Sequence, residues 1–329
     1  MKILFSLLVL IPSLLFADPK EEEQRLRNLV SDGMTAYSEK EYAKAILLFK
    51  EALELQGKNK SSAVAYNIAC CYAILGDKDN AMKWLEKAYD LGTYKFSDDE
   101  DLVSLKEDKR FQKLERKALK KIKALESKEW KPIITVPESF ESKKYPVVIA
   151  LHGFGSNPVD FSRTNSPRIT PLGYILSCPY GPEIRGSTSF GWGEDVDSEK
   201  RILEALETLK KDYRIEPERI ILFGYSQGGG RAFYTGLRNP EIFRGIITAA
   251  GEYEEEECNG FLETAKAKGV KVYMMIGEKD FLLESNQKAE EEMKKVGIPV
   301  KLVVFPGLGH AFPKNSEEEL KKALEWVNQ

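Results

Sequence analysis

Residues 220–229 read IILFGYSQGG, and this stretch decides how the rest of the chain is interpreted. Four apolar residues, typical of a buried β-strand, lead directly into the pattern Gly-x-Ser-x-Gly, and a helix-compatible segment follows. This layout predicts a tight strand-to-helix turn that exposes the hydroxyl group of Ser226. Gly224 and Gly228 would let the strand and the helix approach each other, because neither residue carries a side chain.

The chain contains two histidines, and a serine nucleophile usually needs an imidazole as its base. His310 is the candidate partner of Ser226, because it comes later in the chain and directly after an apolar strand pattern. The acid should lie between them, and the strand pattern at residues 270–277 ends near two acidic side chains. Asp280 is the preferred acid because it ends the loop before a predicted helix, and Glu278 is the alternative.

The second histidine belongs to a different motif. Residues 146–151 form an apolar strand pattern that runs into His-Gly-Phe-Gly at 152–155. Such a loop supplies one backbone N–H to an oxyanion hole, and the residue after the nucleophile supplies the other. The expected donors are therefore the amides of Phe154 and Gln227. We interpret His152 as a structural residue that holds this loop in place.

These motifs resemble those of compact α/β-hydrolases of the carboxylesterase/phospholipase group, which includes the acyl-protein thioesterases. The similarity covers residues 130–329 and rests on HGFG at 152–155, GYSQGG at 224–229, the acid at Asp280 and the pair Gly309-His310. It implies hydrolysis of a carboxylic ester or thioester by a Ser-Asp-His triad through an acyl-enzyme, without a metal or an organic cofactor. Residues 183–192 depart from a thioesterase pattern, so the resemblance implies the reaction class and not the substrate.

Two other functions are compatible with the same residues. A serine peptidase of the same fold would use the same triad on an amide bond. A repeat-domain scaffold with an inactive hydrolase domain would bind a protein partner without catalysis. The complete set of nucleophile, acid and base argues against the second alternative.

Several aromatic residues fall in loops near the predicted site and are candidates for lining a substrate pocket. Three of them are singled out: Tyr180, Trp192 and Phe281. Ordinary packing is an equally good explanation for any one of them alone.

Strand and helix patterns alternate along the second part of the chain, which predicts an α/β fold with a mainly parallel sheet and helices on both faces. The strand patterns lie near 133–136, 146–151, 173–178, 219–224, 244–249, 271–276 and 300–305. The helical patterns lie near 197–213, 227–238, 259–268, 283–296 and 316–328. All the candidate site residues would then lie at the carboxyl ends of strands.

An internal repeat precedes this region. Between residues 25 and 92, the positions Gly33, Ala45, Phe49, Ala52 and Leu55 recur 36 residues later as Ala69, Ala81, Leu85, Ala88 and Leu91. This spacing resembles the tetratricopeptide repeat and predicts an all-α domain at 18–127, followed by the catalytic domain at 128–329. The resemblance implies a protein or peptide partner, and packing against the hydrolase domain is the alternative role. Because the candidate catalytic residues all follow position 150, we expect the second domain to carry the chemistry alone.

The first 17 residues have one lysine, an apolar stretch and a final small residue, Ala17. This stretch is too short to span a membrane comfortably and is typical of a cleaved signal peptide. An uncleaved anchor is the alternative. We therefore expect a secreted or periplasmic protein with no stable membrane span after signal removal.

Charge and cysteine content narrow the possible partners. The chain has 49 basic and 52 acidic residues, so no basic excess suggests nucleic-acid binding. Five glutamates at 252 and 254–257 are interpreted as a solvated surface loop. The four cysteines have neither zinc-site nor disulfide-framework spacing, although a bridge between Cys178 and Cys258 stays open.

Overall fold

The computed structural model describes residues 19–57, 60–141, 143–193 and 195–329. The predicted signal peptide at 1–17 lies outside the described residues. None of the helices in those described ranges combines the length and the apolarity that crossing a lipid bilayer requires.

The N-terminal part is all-helical, as predicted. Its elements are α1 (Pro19–Ser38), α2 (Tyr42–Leu55), α3 (Ser62–Ile74), α4 (Lys78–Asp90), a 3-10 helix (Glu100–Leu105) and α5 (Lys109–Glu126). The helices form two successive pairs, α1 with α2 and α3 with α4. Helix α2 begins at residue 42 and α4 at residue 78, so the structural offset of 36 equals the offset of the sequence repeat.

The repeated positions form the core of this helical domain. Ala45, Phe49 and Ala52 of α2 are fully buried, and so are their counterparts in α4. Small residues allow the paired helices to approach closely, and Phe49 fills the space between them. Leu105 and Phe111, from the elements after α4, are buried in the same cluster. They provide the third layer that two helical repeats need to cover their apolar faces.

The second part contains nine strands and seven helices within its described residues. The strands are β1 (Ile133–Thr135), β2 (Tyr145–Leu151), β3 (Ile175–Cys178), β4 (Glu183–Ile184), β5 (Phe190–Gly191), β6 (Ile215–Tyr225), β7 (Gly245–Ala249), β8 (Lys271–Gly277) and β9 (Val300–Phe305). The helices are α6 (Pro158–Ile169), α7 (Asp195–Asp212), α8 (Gln227–Arg238), α9 (Glu255–Cys258), α10 (Leu262–Ala267), α11 (Leu283–Val296) and α12 (Ser316–Val327). Two 3-10 helices, Thr170–Leu172 and Asn259–Phe261, complete it.

Seven strands form the central sheet in the order β1-β3-β2-β6-β7-β8-β9. Strand β1 is antiparallel to β3, and the other neighbours are parallel. This arrangement confirms the predicted α/β-hydrolase fold. Strand β2 shows how the sequence produces it: Val147 and Ile149 pack in one hydrophobic cluster, whereas Val148 and Ala150 pack in another. Both faces of the sheet are therefore buried, which explains the continuous apolar run.

Three features differ from the sequence prediction. Helix α6 was not expected, because its segment is rich in polar residues and contains Pro167. Asn157 caps this helix and Pro158 occupies its first turn, which are favourable starting signals. The short hairpin of β4 and β5 was also not expected. The helix predicted at 259–268 is divided into shorter pieces around Asn259 and Gly260, two poor helix formers.

The hairpin of β4 and β5 connects the two domains. The amides of Tyr94 and Lys95 both donate to the carbonyl oxygen of Arg185, at 2.6 and 2.8 Å. The amide of Ser187 donates to the carbonyl oxygen of Gly92, at 2.9 Å. The helical domain is thus attached to the hydrolase domain by backbone hydrogen bonds in addition to the covalent linker.

The four cysteines are free and buried. Cys178 and Cys258 pack in different hydrophobic clusters, on opposite faces of the central sheet. The sheet separates their side chains, so the bridge left open by the sequence does not form.

Of the five glutamates at 252 and 254–257, Glu252 and Glu256 are exposed, as the sequence interpretation expects, whereas Glu254 and Glu257 pair with a buried cation. Arg231 of α8 is only 8% exposed, and its guanidinium lies 3.1 Å from Glu254 and 3.9 Å from Glu257. Asp195 is a further ion-pair partner of the same guanidinium. These acids compensate a buried cation, which a charge run read from sequence alone does not reveal.

Candidate active site

Ser226 occupies the tight turn between β6 and α8. Its backbone angles are φ 53° and ψ −125°, a conformation that non-glycine residues rarely adopt. The amide of Ser226 donates to the carbonyl oxygen of Ala249 at 3.0 Å, which links the turn to the neighbouring strand. A Cβ atom at Gly224 would collide with the carbonyl oxygen of Gly228, so the close approach requires glycine there.

Ser226, His310 and Asp280 form one hydrogen-bonded chain. The Oγ of Ser226 lies 2.9 Å from Nε2 of His310. On the other side of the ring, Nδ1 lies 3.0 and 3.1 Å from the two carboxylate oxygens of Asp280. With the proton on Nδ1 donated to Asp280, Nε2 accepts the proton of Ser226. This arrangement can move a proton from the serine to the imidazole while a carboxylate stabilises the resulting charge.

The two candidate acids have different surroundings. The side chain of Asp280 is completely buried, and its Oδ1 also accepts a hydrogen bond from the amide of Leu282 at 3.0 Å. Glu278 is exposed, and its Oε2 accepts a hydrogen bond from the amide of Gly307 at 2.7 Å. The structure therefore brings Asp280, and not Glu278, to His310.

Two aromatic residues hold His310 in position. The ring of Phe281 stacks on the imidazole, with centroids 4.7 Å apart and planes inclined by 28°. The hydroxyl of Tyr225 donates to the carbonyl oxygen of His310 at 3.0 Å. Burial and the nearby Asp280 carboxylate raise the pKa of Tyr225, so this donor keeps its proton. Phe281 is 52% exposed, which places it beside His310 at the solvent side of the site.

The loop after β2 lies against the nucleophile. A Cβ atom at Gly153 would be 3.5 Å from Cβ of Ser226. Among the described residues, the amides of Phe154 and Gln227 donate no hydrogen bond to a protein acceptor. Both N–H groups are therefore available to a ligand, as an oxyanion hole requires.

His152 is a structural residue of this loop. It is fully buried, and burial lowers its pKa to about 4, so the imidazole is neutral at pH 7. Its Nδ1 donates to the carbonyl oxygen of Gly153 at 2.8 Å, and its Nε2 accepts the amide of Gly181 at 3.2 Å. Both ring nitrogens are thus used to hold the loop.

Trp192 does not line a pocket, which corrects the sequence prediction. Its side chain is fully buried, and the indole N–H donates to the carbonyl oxygen of His152 at 2.7 Å. Its backbone amide donates to Oε1 of Gln227 at 3.0 Å. Trp192 therefore connects the two loops that carry the free amides. The sequence shows only an aromatic residue in a loop. That pattern does not distinguish a buried side chain that supports the loops from an exposed side chain that lines a substrate pocket.

Tyr180 belongs to an aromatic cluster. Its ring centroid lies 4.8 Å from that of Trp130 and 4.8 Å from that of Phe190. Phe190 is fully buried. These contacts assign Tyr180 to the packing between the linker and the β4–β5 hairpin, and not to the surroundings of His310.

One group of side chains in the described residues has metal-ligand spacing. Cys70, Asp99 and Asp101 of the helical domain place one ligand atom each within 4.8 Å of the others. Tyr66 donates its hydroxyl proton to Asp99, and Tyr37 donates to Asp101. The carboxylates are already engaged, so the cluster is explained as a hydrogen-bonded support within the helical domain.

Curated proteins with known names resemble part of this chain. A segment of 207 residues is 24% identical to the carboxylesterase SOBER1 of Arabidopsis thaliana and covers 55% of this chain and 89% of that protein. Acyl-protein thioesterase 1 of Gibberella zeae is 27% identical over 195 residues, with coverages of 51% and 81%. A shorter segment of 117 residues is 30% identical to a protein named probable carboxylesterase SOBER1-like, also from Arabidopsis thaliana, and spans 35% of this chain and 44% of that protein.

Solved structures show the same architecture. An uncharacterized protein from Bacillus cereus ATCC 10987 superposes with a TM-score of 0.52 and 22% identity, over 91% of this chain and 97% of the other. A ferulic acid esterase superposes with a TM-score of 0.50 and 21% identity, over 60% of this chain and 98% of the other. At these identities the similarity concerns the fold.

Family models match both parts of the chain. A model described as a domain of unknown function, DUF6340, matches residues 31–120. The dienelactone hydrolase family model matches residues 133–329, which is more than half of the chain and contains every residue of the candidate site. With its α/β-hydrolase sheet and its esterase and thioesterase relatives, this chain is a hydrolase that belongs to the dienelactone hydrolase family.

Proposed function

We propose that this protein is a serine hydrolase that cleaves carboxylic esters or thioesters. The observation that supports the proposal is the continuous chain of hydrogen bonds from buried Asp280 through His310 to Ser226. Each member has the geometry that its role requires, and Ser226 sits in a strained turn that presents its hydroxyl group. Relatives named as a carboxylesterase and an acyl-protein thioesterase favour these two substrate classes.

The proposed reaction has two stages. The Oγ of Ser226 attacks the carbonyl carbon while His310 accepts the serine proton, and the amides of Phe154 and Gln227 stabilise the oxyanion. His310 then gives that proton to the leaving alcohol or thiol, and an acyl-enzyme remains. A water molecule, deprotonated by His310, attacks the acyl-enzyme and releases the carboxylic acid, and the proton returns to Ser226.

A substrate panel tests this proposal. Initial rates on p-nitrophenyl esters, acyl thioesters and peptide anilides should show turnover of the first two classes. Ser226→Ala should lower kcat by about 10⁴-fold or more, because triad residues act as a unit. Ser127→Ala, a change at an exposed linker serine, is the matched control. A folded Ser226→Ala protein with near wild-type rates would reject the proposal, and turnover of the anilides alone would indicate a peptidase instead.

Covalent labelling provides an independent test. A fluorophosphonate probe should attach to Ser226, because the probe reacts with serines that are activated by a general base. Mass spectrometry of the labelled peptide identifies the modified residue. Labelling at another serine would contradict the assignment of the nucleophile.

Export is a separate part of the proposal. Residues 1–17 would direct the chain out of the cytoplasm and be removed after Ala17. N-terminal sequencing of the mature protein should then begin at Asp18. A mature protein that begins at Met1 would contradict cleavage.

The helical domain has two proposed roles. Its resemblance to tetratricopeptide repeats suggests a surface for a protein or peptide partner. The backbone hydrogen bonds that join Tyr94 and Lys95 to Arg185 favour a role in supporting the hydrolase domain. The two roles are compatible, and the position of the helical domain beside the candidate active site favours a contribution to substrate binding.

A further inference from the structure

The helical domain contacts the loop that carries the first candidate oxyanion donor. A Cβ atom at Gly155 would lie 3.7 Å from Cβ of Ala63, which belongs to the first turn of α3. Gly155 follows Phe154 directly, and Gly153 packs against Ser226. The beginning of α3 is therefore separated from the nucleophile by only one short loop.

The helical domain also contacts the loop that carries the base. A Cβ atom at Gly309 would lie 2.6 Å from Oγ1 of Thr35 and 3.2 Å from Oγ of Ser31, both in α1. Gly309 immediately precedes His310. The two loops on either side of Ser226 thus both pack against the N-terminal helices.

A cleft of about 1000 Å³ opens beside the first of these contacts, where Ala63, Phe154 and Gly155 belong to its lining. One wall belongs to the helical domain and includes Leu26, Gln56 and Lys60. The other wall belongs to the hydrolase domain and includes Asn157 and Thr164. The cleft is large enough for a group that extends well beyond the reacting ester.

Ten of the fifteen residues that line the cleft have polar or charged side chains, and Leu26, Leu91 and Phe154 add apolar surface. Asp160 and Arg163 both border it, and they form an ion pair at 2.7 Å that compensates their charges. Lys60 is exposed, so its ammonium group can remain in water at the rim. The carbonyl oxygen of Gln56 already accepts a hydrogen bond from the amide of Ser61 at 2.7 Å, so the Gln56 NH₂ group and the Thr164 hydroxyl are the groups that can hydrogen-bond to a ligand. A long alkyl chain would leave these groups without partners, whereas an uncharged hydrogen-bonding group would satisfy them.

We infer that the helical domain forms one wall of the substrate-binding cleft, and that this cleft receives an uncharged, hydrogen-bonding part of the substrate. The inference rests on the proposed function, because it assumes that Ser226 is the nucleophile. Residues of the N-terminal domain then determine specificity, although they contribute nothing to the bond-breaking steps.

Three acetate esters with different alcohols test the inference. p-Nitrophenyl acetate is the small reference, cellobiose monoacetate has a polar alcohol, and octyl acetate has an alkyl alcohol. Lys60→Trp and Thr164→Trp would fill the cleft from opposite walls, one in each domain. Lys120→Trp changes an exposed lysine on α5 outside the cleft and is the matched control. Acetate or p-nitrophenol release gives kcat and KM, and circular dichroism checks that each variant is folded.

The wild-type protein should have a higher kcat/KM for cellobiose monoacetate than for octyl acetate. Both cleft variants should lower kcat/KM for cellobiose monoacetate by about tenfold or more, mainly through KM, and change that for p-nitrophenyl acetate by less than about twofold. The inference is overturned if both variants match Lys120→Trp on all three esters, or if the active wild-type protein prefers octyl acetate or does not cleave cellobiose monoacetate. In these cases an inactive Ser226→Ala variant would still support the proposed function, whereas an active one would reject that function itself.

Discussion

Asp280 and Glu278 show how two similar side chains, two positions apart, acquire different properties. Asp280 points into the protein and is held by His310 and by the amide of Leu282. Glu278 remains at the surface and accepts the amide of Gly307. A buried carboxylate that accepts a hydrogen bond from the imidazole N–H can stabilise the positive charge that develops on the imidazole. An exposed carboxylate does so far less, because water screens the interaction.

This difference leads to a prediction about the acid. Asp280→Asn should lower kcat by about 10⁴-fold, because it removes the charge that stabilises and orients the His310 imidazole. Glu278→Gln should change kcat by less than about threefold. Steady-state rates on p-nitrophenyl acetate, with circular dichroism as a folding control, distinguish the two variants. The reverse pattern would transfer the role to Glu278.

The lowered pKa of His152 should make the free energy of unfolding depend on pH. Its pKa is lowered to about 4 in the folded protein, whereas an unfolded chain has an ordinary value near 6.5. The unfolded state therefore takes up a proton as pH falls below 6.5, and the folded state does not until about pH 4. The free energy of unfolding should decrease across this interval, and at pH 4.5 the loss should be about 2–3 kcal/mol relative to pH 7.5.

Comparison with His152→Asn isolates this contribution, because carboxyl groups titrate in both proteins. Urea unfolding at pH 7.5 and pH 4.5 should show a smaller loss of stability in the variant. Equal losses in the two proteins would show that His152 is not the group responsible.

Among the secondary-structure elements, the close packing of α1 against α2 depends on a residue without a side chain. A Cβ atom at Gly33 of α1 would lie 2.6 Å from the ring of Phe49 in α2. That ring is fully buried, so it has no free space into which it can move. The first repeat therefore requires glycine where the second repeat has Ala69.

Gly33→Ala should consequently destabilise the protein. Alanine favours an isolated helix by about 1 kcal/mol over glycine, but overpacking a filled core costs about 1–3 kcal/mol. We expect the second effect to dominate, so the free energy of unfolding should fall by up to about 2 kcal/mol. Gly260→Ala is the control, because a Cβ atom there would have open space. Chemical unfolding of both variants measures the difference, and a stabilised Gly33→Ala protein would contradict this account of the pairing.

At the scale of the whole molecule, the β4–β5 hairpin is the element that attaches one domain to the other. Gly186 forms an isolated β-bridge with Thr93, and a Cβ atom at Gly186 would collide with the carbonyl oxygen of Gly92. The contact is between backbone atoms, so side-chain movement cannot relieve it.

Gly186→Ala should therefore separate the domains without unfolding either one. Small-angle X-ray scattering should give a larger radius of gyration, and trypsin should cleave the linker around Lys128 and Lys131 faster than in the wild-type protein. Interfaces between domains are often modest in area, so loss of this backbone contact should shift the equilibrium toward separated domains. Scattering and cleavage rates equal to those of the wild type would show that other contacts hold the domains together.

Local sequence patterns are sufficient to predict the hydrolase fold, the helical repeat and the motifs around Ser226. Apolar strand runs, the glycine-flanked serine and the repeat offset of 36 are local signals, because each depends on residues that are close in the chain. The preference for Asp280 over Glu278 also came from local position, at the end of a loop.

Which of these residues meet, and what surrounds them, depends on how the whole chain packs. Trp192 supports two loops from the protein interior, and Arg231 forms ion pairs with acids from other elements. Helix α1 lies beside Gly309, which is more than 270 residues away in the sequence. That the second domain carries the chemistry alone stays a prediction, because every candidate catalytic residue follows position 150. The fold also places the N-terminal helices against both loops of the site, since chain order does not determine which surfaces pack together. Burial and long-range contact arise from the packed arrangement of the whole chain, and no local pattern encodes them.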